Sequence, residues 1–318
     1  MASLLTALLL SAAPAALATH GDWIIGCDNQ RACHALARGS GGAEPRLRLV
    51  LRRDGAAEAA ARLDVSLPLS VAAGSRVTLA VDGRAIAQLI APGAGGGLAL
   101  PFEGKIAAAL LRGRRVTLVA SHRRVLAGAS LSGLGATVRA FDAAQWREGS
   151  ATALATPARG ARAAAVAPIP PVPALPVVDQ PEVTGAKPRR FTAKDARKLL
   201  GRDAADCVAP QTWRLDAAYT LLALEPGCAA ARGLAALYLL PAKGRPVAAT
   251  IDLATVAGAP GWDPARRRLV SAAGPLRQEY AWDGARFRLV LEQHDAALPD
   301  AMGDEDTITT WRATVAVH

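Results

Sequence analysis

The chain is poor in the residues that catalytic and binding sites usually concentrate. Aromatic residues make up 4% of it, too few to build the stacking platforms that single-stranded nucleic acid requires. Its 4 cysteines include no Cys-x-x-Cys pair, which excludes thioredoxin-type exchange and the common Cys-x(2–4)-Cys zinc spacing. Histidine is rare, and of the five, His20 lies beside the expected cleavage point and His318 at the carboxyl end. There is no Gly-x-Ser-x-Gly elbow, Walker loop, Gly-x-Gly-x-x-Gly fingerprint or His-Glu-x-x-His pair. Beyond the first residues no long apolar run occurs, so no transmembrane segment is expected in the mature chain.

What is present begins with a leader. MASLLTALLLSAAPAALATH has an apolar stretch from Leu4 to Leu10 and a small-x-small pattern at Ala16-Leu17-Ala18. This reads as a signal peptide, residues 1–18, and a periplasmic or secreted location. In that compartment Cys27, Cys33, Cys207 and Cys228 are expected as disulfides. Of the three connectivities open to four cysteines, Cys27–Cys33 with Cys207–Cys228 closes the shortest loops. A metal site at Cys27, Cys33 and His34 is disfavoured because neighbours in a strand point to opposite faces. Asp300, Asp304, Glu305 and Asp306 are hard oxygen ligands but miss the EF-hand spacing. No metal and no cofactor are therefore expected.

Lys and Arg total 37 against 27 Asp and Glu, a formal charge of +10. The excess is almost all arginine, scattered as Arg52-Arg53, Arg114-Arg115, Arg123-Arg124 and Arg266-Arg267-Arg268. It reads as solvated surface and not as a nucleic-acid site. An envelope protein or an anionic envelope component is the partner class left open.

Residues 149–190, with PIPPVPALP at their centre, read as a Pro/Ala-rich spacer in extended polyproline conformation. They separate a disulfide-stapled β-rich domain, 19–148, from a second domain, 191–318. The fold expected is mainly β with a few short helices (α+β), as two antiparallel domains. Alternation predicts strands at 46–51, 61–67, 115–121 and 123–129, and a hairpin of 76–81 with 85–90 about Asp82-Gly83. Pro101 is expected to start a short helix that Gly113 ends. Leu131, Leu134, Val138 and Phe141 mark an amphipathic helix. In the second domain Thr192 and Asp195 form a capping box, with strands expected at 237–240, 247–251 and 308–317. GWDPARRRLV (261–270) is echoed by AWDGARFRLV (281–290), which predicts consecutive hairpins in an antiparallel meander. Trp23, Trp213, Trp262, Trp282 and Trp311 are candidate aromatics for core or surface.

With these motifs in hand, the chain resembles domain of unknown function family 1176, an uncharacterised bacterial envelope family. The resemblance rests on GDWIIGCDNQRACHA (21–35), SLSGLGATVRAFDAAQ (130–145), DCVAPQTWRLDAAYTLLALEPGC (206–228) and YAWDGARFRLV. The first motif is also similar to the start of invasion-associated locus B proteins, which are exported. The resemblance implies location and architecture, not chemistry. Expected functions are a non-enzymatic binding or envelope-support role, a hydrolase of peptidoglycan or glycans, or an inhibitor of a lysozyme-like enzyme. The expected recognition loop is Asp28, Asn29, Gln30 and Arg31, held by the Cys27–Cys33 closure with little entropy left to lose.

Overall fold

The computed structural model describes residues 14–39, 42–93, 95–120, 123–161, 166–185, 187–200, 210–224, 236–252, 260–296 and 307–318. Cys207, Cys228, His122 and the acidic run from Asp300 to Asp306 lie outside them. The fold is predominantly β-strand with short helices, in two compact units, Met1–Pro173 and Ala174–His318.

The first unit runs β1 (Ala18–His20), β2 (Trp23–Cys27), β3 (Cys33–Ala37), β4 (Arg48–Arg53), β5 (Arg62–Ser66), β6 (Arg76–Val81), β7 (Arg84–Ile90), β8 (Gly97–Pro101), α1 (Gly104–Arg112), β9 (Arg115–Val119), β10 (Val125–Ser130) and α2 (Leu134–Ala144). These strands make two antiparallel sheets, β1-β2-β3-β4-β5-β8 and β10-β9-β6-β7. Alternation along each strand sends one face inward. Leu49, Leu51, Leu63 and Val65 of the first sheet join Val77, Leu79, Val116 and Leu118 of the second in one buried core. The hairpin turn is where the sequence puts it, with Asp82 at φ 46° and Gly83 at φ 80°, the two positive values that a type I′ turn needs.

Two local expectations are corrected. Pro101 does not open α1. It ends β8, as a residue on an edge strand that needs no ladder donor, and the helix begins at Gly104. Gly113 does close it, donating its N–H to Ala109 O at 2.9 Å. The amphipathic helix starts at Leu134, so Leu131 packs in the core from the turn before it. Gly133 caps α2 at φ 90°, and a Cβ there would lie 1.8 Å from the His20 carbonyl oxygen. Only glycine fits that approach.

The second unit runs β11 (Val177–Gln180), α3 (Ala193–Leu200), β12 (Gln211–Arg214), β13 (Tyr219–Leu224), β14 (Ala236–Pro241), β15 (Val247–Ala248), β16 (Gly261–Asp263), β17 (Arg268–Ala273), β18 (Leu276–Trp282), β19 (Phe287–Asp295), β20 (Thr307–Arg312) and β21 (Thr314–Val317). Sheets β12-β13-β14-β15 and β16-β17-β18-β19-β20 are antiparallel meanders. Leu221, Leu239, Leu269, Tyr280, Trp282 and Phe287 form the core of this unit. α3 opens with the expected box: Asp195 N–H donates to Thr192 Oγ1 at 3.3 Å, and Thr192 N–H to Asp195 Oδ2 at 2.9 Å. Its Leu199, with Phe191, packs on Leu222, Leu224 and Leu240.

The repeat is structural. Asp263 Oδ1 accepts the N–H groups of Ala265 and Arg266 at 3.0 and 3.1 Å. Asp283 Oδ1 accepts those of Ala285 and Arg286 at 2.9 and 2.8 Å. Each aspartate closes the tip of one hairpin by the same side-chain capture.

Two features depart from the expected plan. The strand expected over 308–317 breaks at Ala313 into β20 and β21, and β21 leaves the meander to pair in parallel with β11. The fold is therefore not wholly antiparallel. β11 lies inside the stretch read as spacer, and Leu154 and Ala155, at its other end, are held by Asp142. Proline content marked the extended backbone, while the side chains that engage it lie far off in sequence.

Candidate recognition surface

The Cys27–Cys33 disulfide forms between residues paired across β2 and β3, closing the hairpin loop 28–32. Within it Asp28 is buried, and its Oδ1 accepts the N–H groups of Gln30 at 2.8 Å and Ala32 at 2.9 Å. The expected recognition loop is thus divided in role. Asp28 is buried and shapes the turn, whereas Asn29, Gln30 and Arg31 are all half-buried. Arg31 sits at φ 59° with its N–H on Asp28 O at 2.9 Å.

Beneath the loop lies Gln145, the C-cap of α2, which is fully buried. Its Nε2 donates to Arg31 O at 2.9 Å, Arg53 O at 3.0 Å and Asp54 O at 3.2 Å. One amide therefore ties the helix end to the loop and to the end of β4. The next residue, Trp146, takes φ 59° and is 65% exposed. The Arg31 guanidinium lies 5.5 Å from its ring centroid, a cation–π distance. The same guanidinium donates from Nη1 to Pro170 O at 3.0 Å, and Gln30 Nε2 donates to Pro173 O at 2.8 Å. Trp146 is absent from the tryptophans singled out by sequence. It falls off the apolar stripe of α2, and that offset was the available signal.

The other tryptophans divide between full and partial burial. Trp23 and Trp282 are fully buried. Trp23 Nε1 donates to Ser130 O at 3.2 Å, and the Trp282 indole N–H to the Asp216 carboxylate. Trp213, Trp262 and Trp311 are partly buried against the core of the second unit.

Next to the loop is a buried charge cluster. Asp142 accepts the Leu154 N–H on Oδ1 at 2.8 Å and the Ala155 N–H on Oδ2 at 2.8 Å, and its Oδ1 lies 3.7 Å from Arg53 Nη1. Arg147, fully buried, donates to Ala57 O at 2.6 Å and to Ala56 O. Burial works against charge on all three. It pushes the Asp142 carboxyl up despite the two backbone N–H groups and the arginines, and lowers Arg147. Burial, reinforced by the nearby Arg147, pulls Arg53 down to about 10. Such a cluster is weak as a net stabiliser and costly to break on one side. Arg53 also lines a cleft of about 480 Å³ together with Phe102, Leu111, Glu58, Glu103 and Arg159.

In the second unit a polar network is buried between strands. Gln278 Nε2 donates to Glu292 Oε2 at 2.8 Å, Thr310 Oγ1 to Glu292 Oε1 at 2.8 Å, and Tyr280 Oη to Gln278 Oε1 at 2.8 Å. Burial first, then the charge of Glu292, pushes the Tyr280 phenol well above its ordinary value. Among the described residues no group of three or more His, Cys, Asp or Glu is placed to hold a metal ion. No helix among them is long and apolar enough to cross a membrane.

These features define a β-sheet protein of two units, the first closed by a disulfide hairpin that presents a polar and aromatic surface. The chain belongs to the family described as Protein of unknown function (DUF1176), whose model matches residues 17–314. It is similar to invasion associated protein b from Bartonella henselae in its crystal structure, at 21% identity and a TM-score of 0.33, over 42% of this chain and 99% of that one. No curated protein matches the chain.

Proposed function

We propose that this is an exported, non-enzymatic protein with a binding or envelope-support role, whose contact surface is formed by Gln30, Arg31 and Trp146. With this goes the leader expected from sequence over 1–18, ahead of two domains for which the expected bounds 19–148 and 191–318 widen to take in residues 154–155 and β11 respectively. The observation that carries the reading is a surface fixed in advance from below. The disulfide, the Asp28 turn and the Gln145 amide hold Arg31, while 65% of Trp146 stays exposed. Large aromatic and arginine side chains held in place are what binding hot spots are made of. The disulfide suits an oxidising compartment.

The test is capture from an envelope extract by the full chain and by Arg31→Ala and Trp146→Ala variants, with near-ultraviolet circular dichroism as the folding control. The expected result is a protein or anionic glycan retained by the parent chain and reduced at least tenfold with either variant. A ligand captured equally by all three would sink the assignment. Glycan hydrolysis is a second reading, favoured by one observation, that Glu58 and Glu103 line the same cleft. Release of reducing ends from peptidoglycan that disappears in both Glu58→Gln and Glu103→Gln would establish it, and no release would exclude it.

A further inference from the structure

Resting on that reading, we infer that the Gln30–Arg31–Trp146 surface is a receptor for an extended proline-rich segment, and that residues 168–173 of the chain itself are its resident ligand. Adjacent side chains of the loop donate to carbonyl oxygens three residues apart, Arg31 to Pro170 and Gln30 to Pro173. Three residues is one turn of a polyproline helix, an advance of about 9 Å. That helix has no internal hydrogen bonds, so its carbonyls are free to accept from outside. Proline has no N–H, and both side-chain contacts from the loop to the segment are accordingly donations.

A second periodicity agrees with the first. Ile169 and Val172, again three apart, are half-buried together with Pro170, whereas Pro168, Pro171 and Pro173 are exposed. The segment therefore turns one ridge inward with the same repeat that its carbonyls show. Trp146, beside the Arg31 that holds Pro170, is an exposed aromatic of the kind that lines polyproline-binding grooves. It follows directly on the C-cap of α2 and lies against that same Arg31 guanidinium.

A ligand on the same chain has an effective concentration in the millimolar range. A proline-rich segment from elsewhere then meets an occupied site, and binds in proportion to how often the resident segment leaves. The surface is a peptide receptor that is closed by its own chain.

The probe is a fluorescent peptide of residues 166–176, VAPIPPVPALP, titrated by anisotropy into the full chain with no extract present. In a variant with Pro168, Pro170, Pro171 and Pro173 each changed to Ser, the peptide should bind at least tenfold more tightly than to the parent chain. Adding Arg31→Ala to that variant should weaken binding at least fivefold, and a peptide with serine in place of proline should not bind. Equal affinity for the parent and the quadruple variant, no binding to the folded quadruple variant, or indifference to Arg31→Ala would each overturn the inference.

Should the quadruple variant not fold, a Gln30→Ala, Arg31→Ala double variant gives an independent readout. Its segment 166–176 should be cut by proteinase K at least tenfold faster than in the parent, and an unchanged rate overturns the inference. The proposed binding role is separately visible. A captured partner that depends on Arg31 but is not displaced by excess peptide keeps that role and removes the polyproline chemistry.

Discussion

Gln145 offers a substitution whose effect changes with pH in a direction fixed by its surroundings. Its amide nitrogen faces the carbonyl oxygens of Arg31, Arg53 and Asp54, and its own Oε1 has no hydrogen-bond partner among the described residues. Gln145→Met keeps the volume and removes the donor. It strands one fully buried carbonyl and two that can recruit water, at a cost of about 2–4 kcal/mol that does not vary with pH. Gln145→Glu keeps the shape but presents an anion to three oxygens. Burial and those oxygens raise the folded pKa of the new carboxyl by about 3 units, to roughly 7. The protonated acid donates to one carbonyl, so the stability it permits is whole below the unfolded value of about 4.3 and is lost as the pH rises through the folded value. At about 1.36 kcal/mol per unit, the variant should lose about 3 kcal/mol between pH 4.5 and 8, relative to the parent. Pulse proteolysis in urea, with fragments assigned by mass spectrometry, reads the first unit separately at each pH. A Gln145→Glu chain as stable as the parent at pH 8, with no pH dependence of its own, would refute the role given to this amide.

Asp142→Ala should destabilise the first unit by about 3–5 kcal/mol, because Arg53 and Arg147 stay buried without their acid. The apolar pair Arg53→Met, Asp142→Leu should lose less than Asp142→Ala alone, which the same proteolysis measures. Tyr280 predicts alkaline behaviour. Since burial raises its folded pKa, its contribution is whole below the unfolded value of about 10 and is lost as the pH climbs through the folded one. Urea titrations from pH 9 to 11 should show a shallower decline in Tyr280→Phe than in the parent. Trp282→Phe removes the indole donor to Asp216 and leaves a void, and should cost the second unit about 2–4 kcal/mol in urea unfolding.

What could be read from the sequence was whatever local chemistry decides. Asp82-Gly83 has its turn because both residues accept positive φ, and Thr192 with Asp195 completes its box within one turn of helix. The α2 stripe appears because Leu134, Val138 and Phe141 repeat at helical spacing. The cysteine spacing and the turn preference of aspartate mark the loop from Asp28 to Arg31, which the disulfide and the Asp28 side chain do close. Hidden features depend on distant partners. β8, Gly-Leu-Ala-Leu-Pro, has weak strand propensity and exists because β5 pairs with it. Trp146 meets Arg31 only because Gln145, the residue before it, ties the end of α2 to the Arg31 carbonyl. No spacing rule links Gln30 to Pro173, 143 residues away.

The parallel pairing of β11 with β21 has a mechanical consequence. Val177 to Gln180 run beside Thr314 to Val317 in the same direction, and the ladder is extended by Thr314 N–H to Pro176 O and His318 N–H to Gln180 O. Tension applied through the residues before Val177 and those after Val317 pulls the two strands in opposite senses along their length. The hydrogen bonds are then loaded together in shear, whereas an antiparallel hairpin pulled from its open end gives way one bond at a time. This short ladder therefore acts as a clamp across the second unit. Stretched between an attachment on its proline-rich side and another at its far end, the unit would yield only at the force that ruptures the whole clamp at once.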